Sequence, residues 1–161
     1  MIIIGIDPGL QITGYGVLES DSIKVRVLEA GIIKTNANDR FEDKLNEIFS
    51  EVGKVIKQYK PDYIAVEELY SHYAHPKTAI IMGHARGTVF LQASQSKTPI
   101  ASYAATRIKK SLTGNGRASK SQMRKMIKST LNLKDELFSP DTADALAAAV
   151  CHHNTLLKGS G

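Results

Sequence analysis

Four carboxylates occupy places in the chain from which they can meet in one site. Asp7 and Glu67 each end a short apolar run, and Asp141 and Asp144 stand three residues apart at a predicted helix start. Mg²⁺ prefers oxygen ligands, so a group of carboxylates without cysteine suits it. Two such ions, for which Mn²⁺ substitutes, can activate a water and stabilise the leaving oxygen of a phosphodiester. The four acids therefore predict a metal-dependent nuclease.

Each of these acids also has a purely structural explanation. Asp7 precedes a Pro-Gly pair that is typical of a turn. Acids in the first turn of a helix stabilise its dipole, which applies to Asp141 and Asp144. Glu67 can be a solvated acid at the end of a strand. It is followed by Glu68, and strand alternation sends the two side chains to opposite faces. One of the two glutamates is expected to reach a site, and the pattern alone does not say which.

The predicted helix that carries Asp141 and Asp144 has a face of small residues, Ala145, Ala148 and Cys151. Residues three or four positions apart lie on one side of a helix. A face of small side chains lets a helix lie close to a sheet. Acids that only stabilise a helix end do not need such a face, whereas acids that must meet strand-borne carboxylates do.

Apolar runs and helical spacings predict the elements that position these acids. The pattern indicates an α/β domain with a mixed sheet of about five strands flanked by helices, opening with a three-strand antiparallel meander. One domain is expected over residues 1–156, with a disordered tail at 157–161. The strands are expected at 2–6, 12–19, 23–34, 63–67 and 99–102. The helices are expected at 39–58, 77–96, 104–112, 119–131 and 139–156, with N-caps at Asp39, Ser119 and Ser139.

Positive charge is concentrated in one acid-free segment. The 161 residues have a net charge of +5. All 16 acidic residues lie in 7–68 or 135–144, so the 66 residues from Leu69 to Lys134 contain none and carry 12 basic residues. An ordinary surface mixes both signs, whereas this segment suits a polyanion. Nucleic-acid contacts are expected from it, including Lys110, Arg117 and Arg124; a basic face without a partner is the alternative.

Several classes of protein are excluded by composition. No stretch approaches the ~20 consecutive apolar residues of a membrane span, and the N-terminus lacks the basic start of a signal peptide. Cys151 is the only cysteine, so neither a disulfide framework nor a cysteine metal cluster is expected. The absence of G-x-x-x-x-G-K-S/T argues against a P-loop ATPase. A soluble, cytoplasmic protein is the expectation.

An ordered set of motifs is more specific than any one of them. They are I-I-G-I-D-P-G at 3–9, T-G-Y-G at 13–16, P-D-Y-I-A-V-E at 61–67, G-x-A-R-G at 83–87 and D-T-A-D-A-L-A at 141–147. Through them the chain resembles the RuvC family of Holliday junction resolvases. The resemblance implies an RNase H-like fold and a homodimer that nicks two opposed strands of a four-way DNA junction in recombination and repair. It also implies RuvA and RuvB as partners.

The resemblance assigns the metal ligands. The family's four metal-binding acids fall on Asp7, Glu67, Asp141 and Asp144, which selects Glu67 over Glu68. Some members of the family carry His where this chain has Asp141. The implied cofactor is Mg²⁺, two ions in each subunit, with Mn²⁺ as a substitute.

Other roles also follow from the resemblance. Family lysines fall on Lys109 and Lys120, which implies phosphate binding or stabilisation of transition-state charge, with Lys120 in the catalytic group. Tyr70 falls on an aromatic residue that stacks on a base near the crossover. The loop after Tyr70, which contains His72 and His75, departs from the family pattern. The resemblance therefore does not predict the DNA sequence at which this chain cleaves.

Some residues have two interpretations. His84, His152 and His153 are interpreted as surface or packing residues rather than proton shuttles. Gly83 and Gly87, on the predicted helix 77–96, permit close packing against either the sheet or a second subunit.

Three other functions share part of this pattern. The same carboxylates would serve an RNase H-like nuclease that acts on RNA. G-I-D-P-G resembles the phosphate-loop strand of sugar kinases and actin, but those proteins need two domains and 161 residues are too few. The basic segment alone would suit a DNA-binding module without enzyme activity.

Overall fold

A five-stranded mixed sheet forms the centre of the molecule. The computed structural model describes residues 1–21, 24–69, 76–133 and 139–159. The strands are β1 (Ile2–Asp7), β2 (Ile12–Ser20), β3 (Val25–Lys34), β4 (Tyr63–Glu67) and β5 (Ile100–Tyr103). Their order is β3-β2-β1-β4-β5, with β1–β2 and β2–β3 antiparallel and β1–β4 and β4–β5 parallel. The predicted opening meander and mixed sheet are confirmed.

The helices cover both faces of this sheet. They are α1 (Phe41–Tyr59), α2 (Pro76–Gln95), α3 (Ala105–Thr113), α4 (Lys120–Thr130) and α5 (Pro140–Gly159). Buried residues of α1 and α2 pack on one face, and those of α3, α4 and α5 pack on the other. Because β1 is covered on both faces, Ile3, Ile4 and Ile6 are all buried, and its sequence shows a continuous apolar run instead of alternation. None of the described helices is long and apolar enough to cross a bilayer.

Two predicted helix starts are confirmed by their caps. Ser119 Oγ accepts a hydrogen bond from Gln122 N at 3.2 Å, and Gln122 Oε1 accepts one from Ser119 N at 2.8 Å. This reciprocal pair is a capping box. At the start of α5, Ser139 Oγ accepts from Thr142 N at 3.1 Å.

The predicted N-cap at Asp39 is wrong. Asp39 closes a turn in which its N–H donates to Asn36 O at 3.2 Å. The turn leaves Arg40 as the last extended residue before α1, and Arg40 makes no side-chain cap bond. Its guanidinium instead donates from Nε to Asp43 at 2.8 Å.

The helix α5 extends beyond the boundary predicted at residue 156. It continues through Gly159, so residues 157–159 of the predicted disordered tail are helical. No helix-breaking residue intervenes before Gly159, and Lys158 places a positive charge in the last turn, where it favours the helix dipole. Residues 160–161 lie outside the described part of the chain.

A candidate metal centre at the ends of two parallel strands

Strand glycines allow α5 to approach the sheet closely. A Cβ on Gly5 would lie 1.9 Å from Ala145 O, and a Cβ on Gly14 would lie 2.2 Å from Asp141 O. The backbone of α5 therefore occupies the space that side chains on these strands would fill. The small face predicted on α5 is buried as expected, with Ala145 fully inaccessible. Sequence reasoning missed the complementary strand glycines, which were visible only as the G-I-D and T-G-Y-G motifs.

Asp7 lies at the centre of the acidic group. Burial is the largest cause that raises the pKa of Asp7 to about 7. The negative charges of Asp144, Glu67 and Asp141 raise this pKa further, and Lys120 lowers it. The structure therefore brings the other three predicted acids within electrostatic reach of Asp7.

Glu67 joins the group because β1 and β4 are parallel neighbours. The residues before the two acids are paired, so Asp7 and Glu67 end their strands at the same edge of the sheet. Burial raises the pKa of Glu67, and Asp144 adds to this effect, whereas Lys109 and Lys120 lower the pKa. Two cations thus partly offset the cost of collecting these negative charges.

Asp144 connects the strand acids to the basic helices. Its pKa is raised by burial and by Asp141, while Lys120 and Arg124 lower it. Lys120 Nζ lies 3.8 Å from Asp144 Oδ2, and their side chains are 83% and 38% exposed. An ion pair this open contributes little to stability.

Two lysines share a small cavity with two of the acids. The cavity has a volume of about 140 Å³, and its lining includes Glu67, Lys109, Lys120 and Asp144. The side chains from β4, α3, α4 and α5 therefore converge at one place. This arrangement can hold an anionic group, such as a phosphate, directly beside the carboxylates.

The remaining predicted DNA contacts lie in different positions. Arg124 is exposed on α4 and acts electrostatically on Asp144. Lys110 lines a second cavity formed by α3 and α5, which includes none of the four acids. Arg117 is exposed in the turn before α4. The predicted stacking residue, Tyr70, lies outside the described residues, as do His72 and His75.

Arg86 is a site-supporting residue that the sequence reasoning did not assign. Its Nε donates to Glu67 O at 3.3 Å and its Nη2 donates to Ser102 Oγ at 2.7 Å. The guanidinium lies 4.4 Å from the Phe90 ring centroid. Burial lowers the pKa of Arg86, and the exposed Glu68 raises it. Arg86, which is part of α2, thus connects the end of β4 at Glu67 to β5. The sequence feature that could have identified Arg86 is its place in the G-x-A-R-G motif.

The donor set suits a hard divalent cation. Among the described residues, no three Asp, Glu, His or Cys side chains are already arranged around one ion position. Burial and the neighbouring carboxylates nevertheless raise the pKa of Asp7, so the protein without a bound cation disfavours the ionised form of Asp7. A bound cation would reverse that effect, and carboxylate oxygens without a thiolate match the preference of Mg²⁺ or Mn²⁺.

The histidines of the described chain make structural contacts. His152 Nδ1 lies 2.6 Å from Tyr103 Oη, and His153 Nδ1 lies 2.7 Å from Ser20 Oγ. Burial lowers the pKa of both histidines, which favours their neutral forms. His84 is exposed and packs edge-on against Phe41, with ring centroids 5.2 Å apart. These contacts agree with the surface and packing roles expected of the three.

Side chains added at the two α2 glycines would point away from the sheet. A Cβ on Gly87 would meet no described atom within 4 Å, and one on Gly83 would meet only Leu69 Cδ1, at 3.8 Å. On the same helix, Ile80 is 63% exposed and Leu91 is 54% exposed. An apolar part of α2 therefore faces outwards.

Known proteins match the chain over nearly its whole length. A family model described as "Crossover junction endodeoxyribonuclease RuvC" matches residues 3–152. RuvC of Rhodopirellula baltica is 44% identical over 151 residues, covering 94% of this chain and 85% of that protein. RuvC of Ruminiclostridium cellulolyticum is 42% identical over 160 residues, covering 99% and 96%.

Solved structures give the same result for the fold. A Thermus thermophilus RuvC in complex with a Holliday junction substrate superposes with a TM-score of 0.93 at 30% identity, covering 99% of this chain and 97% of that one. The yeast mitochondrial Holliday junction resolvase has a TM-score of 0.67 at 14% identity, covering 98% and 80%, and so shares the fold. The expected RNase H-like fold is confirmed, and the chain belongs to the RuvC family of crossover junction endodeoxyribonucleases.

Proposed function

We propose that this protein resolves four-way DNA junctions by Mg²⁺-dependent hydrolysis of opposed strands. The observation that carries the proposal is the convergence of Asp7, Glu67, Asp141 and Asp144 beside Lys120, in a chain of the RuvC family. The relative from Thermus thermophilus was solved with a Holliday junction substrate, which supports the same substrate here.

The four carboxylates are the proposed metal ligands. Asp7 and Glu67 approach from the strand ends, Asp141 approaches from the first turn of α5, and Asp144 follows it in the same helix. Mg²⁺, or Mn²⁺ in its place, would supply Lewis-acid activation of water and of the scissile phosphate, with two ions expected by this chemistry. The close packing of α5 on the strand glycines Gly5 and Gly14 holds Asp141 and Asp144 in place relative to Asp7 and Glu67.

The basic residues bind and orient the DNA backbone. Lys109 and Lys120 hold the scissile phosphate, because they line the cavity that contains Glu67 and Asp144. Charge that develops on the phosphate during cleavage is stabilised by such fixed cations. Tyr70 keeps its proposed role of stacking on a base near the crossover.

Outer phosphate contacts extend from this centre. Arg124 lies near Asp144 and is proposed to bind the adjoining backbone. Lys110 and Arg117 are proposed to bind phosphates farther from the cut, because neither lines the cavity of the acids. These residues add affinity that depends on salt and carries no base specificity.

A homodimer would place two such sites on one junction. The exposed Ile80 and Leu91, with the open surface at Gly87 between them, make the outer face of α2 the proposed interface. Two symmetric sites account for cleavage of opposed strands. RuvA and RuvB remain proposed partners by family membership.

A cleavage assay tests the proposal directly. With Mg²⁺, a synthetic four-way junction labelled on each strand in turn should give nicks at symmetric positions on two opposed strands. Linear duplex of the same sequence and structured RNA should be cut much more slowly. Preference for RNA would contradict the junction assignment, and junction binding without nicking in Mg²⁺ or Mn²⁺ would contradict enzyme activity.

Replacing Lys120 by Ala is expected to lower junction turnover by about 10- to 100-fold, because one cation beside the scissile phosphate is lost. The slope of log affinity against log salt should become shallower by about one. Single-turnover cleavage and fluorescence anisotropy at several salt concentrations measure the two effects.

Lys57→Ala is the matched control, since Lys57 is exposed on α1, on the other face of the sheet. It should leave turnover and the salt slope unchanged. If Lys120→Ala behaves like this control in both measurements, Lys120 has no role in phosphate binding or catalysis.

A further inference from the structure

A second cavity lies between α3 and the last turns of α5. Its volume is about 290 Å³, and none of the described acidic side chains lines it. The lining residues are Arg107, Lys110, Ser111, Asn154, Thr155, Lys158 and Gly159. Three of the seven are cations and three others carry hydroxyl or amide groups, so the cavity suits an oxyanion.

The cavity wall is held in place by its own contacts. The Arg107 guanidinium lies 5.0 Å from the Tyr103 ring centroid, and its Nη2 lies 3.4 Å from Thr155 Oγ1. Asn154 Nδ2 donates to Ser111 Oγ at 3.1 Å and joins the two helices. A preformed wall reduces the ordering cost of binding a ligand.

The positive charge of the cavity is not balanced within the described chain. None of the ion pairs among the described residues involves a cation of this cavity. Those pairs join acidic residues to Arg26, Arg40, Lys54 and Lys120. Lys110 and Lys158 lie in the last turns of α3 and α5, where they favour the helix dipoles, but a helix end does not account for Arg107. Three cations that form no ion pair with an acidic side chain of the described residues raise the local concentration of anions around the cavity.

The position of the cavity relates it to the catalytic centre. Both cavities are built on α3 and α5: Lys109 and Asp144 line the first, and Lys110 and Lys158 line the second. Along α5, Asp144 and Ala147 of the first cavity lie roughly 10 to 20 Å from Asn154 and Lys158 of the second, at 1.5 Å per residue. Because phosphates follow one another at about 3.4 Å along the axis of a DNA strand, this separation corresponds to about three to six base-pair steps.

We propose that this second cavity binds a backbone phosphate of the junction arm about three to six base pairs from the cleaved bond. Arg107 and Lys158 are the principal ligands, with Lys110 and Ser111 completing the site. The inference rests on the proposed junction substrate and adds a second anchoring point to it. A phosphate held there fixes the direction of the arm across α3, so that the scissile phosphate enters between Lys109 and Lys120.

Site-specific neutralisation of the DNA backbone tests this inference. Junctions carry one methylphosphonate linkage at successive positions from three to nine nucleotides from the cut, and affinity is measured by fluorescence anisotropy without divalent cations. Wild-type affinity should fall about 3- to 10-fold when one of the linkages in the predicted window is neutralised. The Arg107→Gln/Lys158→Gln protein should bind unmodified junction more weakly and show no further loss at that linkage.

Lys54→Gln/Lys57→Gln is the matched control, because it removes two charges from α1 on the opposite face of the sheet. It should retain both wild-type affinity and the position-specific loss. The inference is overturned if the Arg107 and Lys158 variant binds like wild type, or if its affinity falls while every linkage keeps its wild-type effect.

Two further outcomes separate this site from the other proposals. Competition by an acidic peptide that is lost in the variant, with DNA affinity unchanged, would assign the cavity to a protein partner and overturn the phosphate site. Paired nicking of unmodified junction by the wild-type protein is measured in parallel. Its absence would contradict the proposed function itself, whereas its presence with an unaffected variant would contradict only the second phosphate site.

Discussion

The Asp7→Asn protein is expected to bind four-way junctions with near-wild-type affinity and to cleave them on the order of 10³-fold more slowly, a loss of about 4 kcal/mol of transition-state stabilisation. Asp7 is the acid on which the other three converge, since the charges of Asp144, Glu67 and Asp141 all raise its pKa. An amide keeps the shape of the side chain but is a poor ligand for Mg²⁺. Single-turnover cleavage in Mg²⁺ measures the loss.

The same substitution should stabilise the metal-free protein. The pKa of Asp7 rises from 3.8 to about 7 in the folded chain. A raised carboxyl pKa makes folding less favourable as pH rises from 3.8 to 7, with the full penalty present above pH 7. Three pKa units correspond to up to about 4 kcal/mol. In EDTA, Asp7→Asn should therefore melt at a higher temperature than wild type at pH 8 and at a similar temperature near pH 4.

Mg²⁺ and a second variant complete this experiment. Adding Mg²⁺ at pH 8 should raise the melting temperature of wild type more than that of Asp7→Asn. Asp39→Asn, at an exposed acid in the turn before α1, should show neither the gain in EDTA nor the loss of cleavage. Wild-type cleavage by Asp7→Asn, or an equal Mg²⁺ effect on both proteins, would remove Asp7 from the metal centre.

Gly14→Ala is expected to displace the first turn of α5 and to inactivate the enzyme. The added Cβ would lie 2.2 Å from Asp141 O and 2.3 Å from Asp141 C, which are backbone atoms that cannot rotate away. Overpacking of this kind costs about 1–3 kcal/mol or more. Because Asp141 and Asp144 move with that turn, cleavage should fall by at least about 100-fold, equivalent to nearly 3 kcal/mol. Thermal unfolding and cleavage of a junction measure the two effects.

Gly53→Ala is the control for this change. The position is inside α1, and the atoms nearest to an added Cβ belong to the flexible end of Gln92, the closest at 3.0 Å. Alanine is a better helix former than glycine by about 1 kcal/mol, so this variant should be as stable as wild type or more stable. A Gly14→Ala protein with normal stability and normal cleavage would show that α5 does not need its close approach to the sheet.

Features set by short-range patterns could be predicted from sequence. The apolar runs indicated the strands, and Ser119 and Ser139 marked helix starts because their caps involve residues only three positions away. The prediction of an N-cap at Asp39 was wrong for a related reason. An aspartate at this position can form either a turn with Asn36 or a helix cap, and composition does not decide between the two. The end of α5 was predicted too early, because no strong helix breaker before Gly159 marks where the helix stops.

By itself, the sequence determined the residue types of the site, the α/β order of elements and the acid-free basic segment, all of which are properties of the chain read in order. The tertiary structure decided which of these residues meet. Parallel pairing of β1 and β4 places Asp7 beside Glu67, and the bare backbone of Gly5 and Gly14 admits α5 with its two acids. Adjacent lysines, Lys109 and Lys110, reach different cavities because consecutive helical residues point about 100° apart. Contacts between distant segments depend on packing of the whole sheet, and for that reason no local pattern contains them.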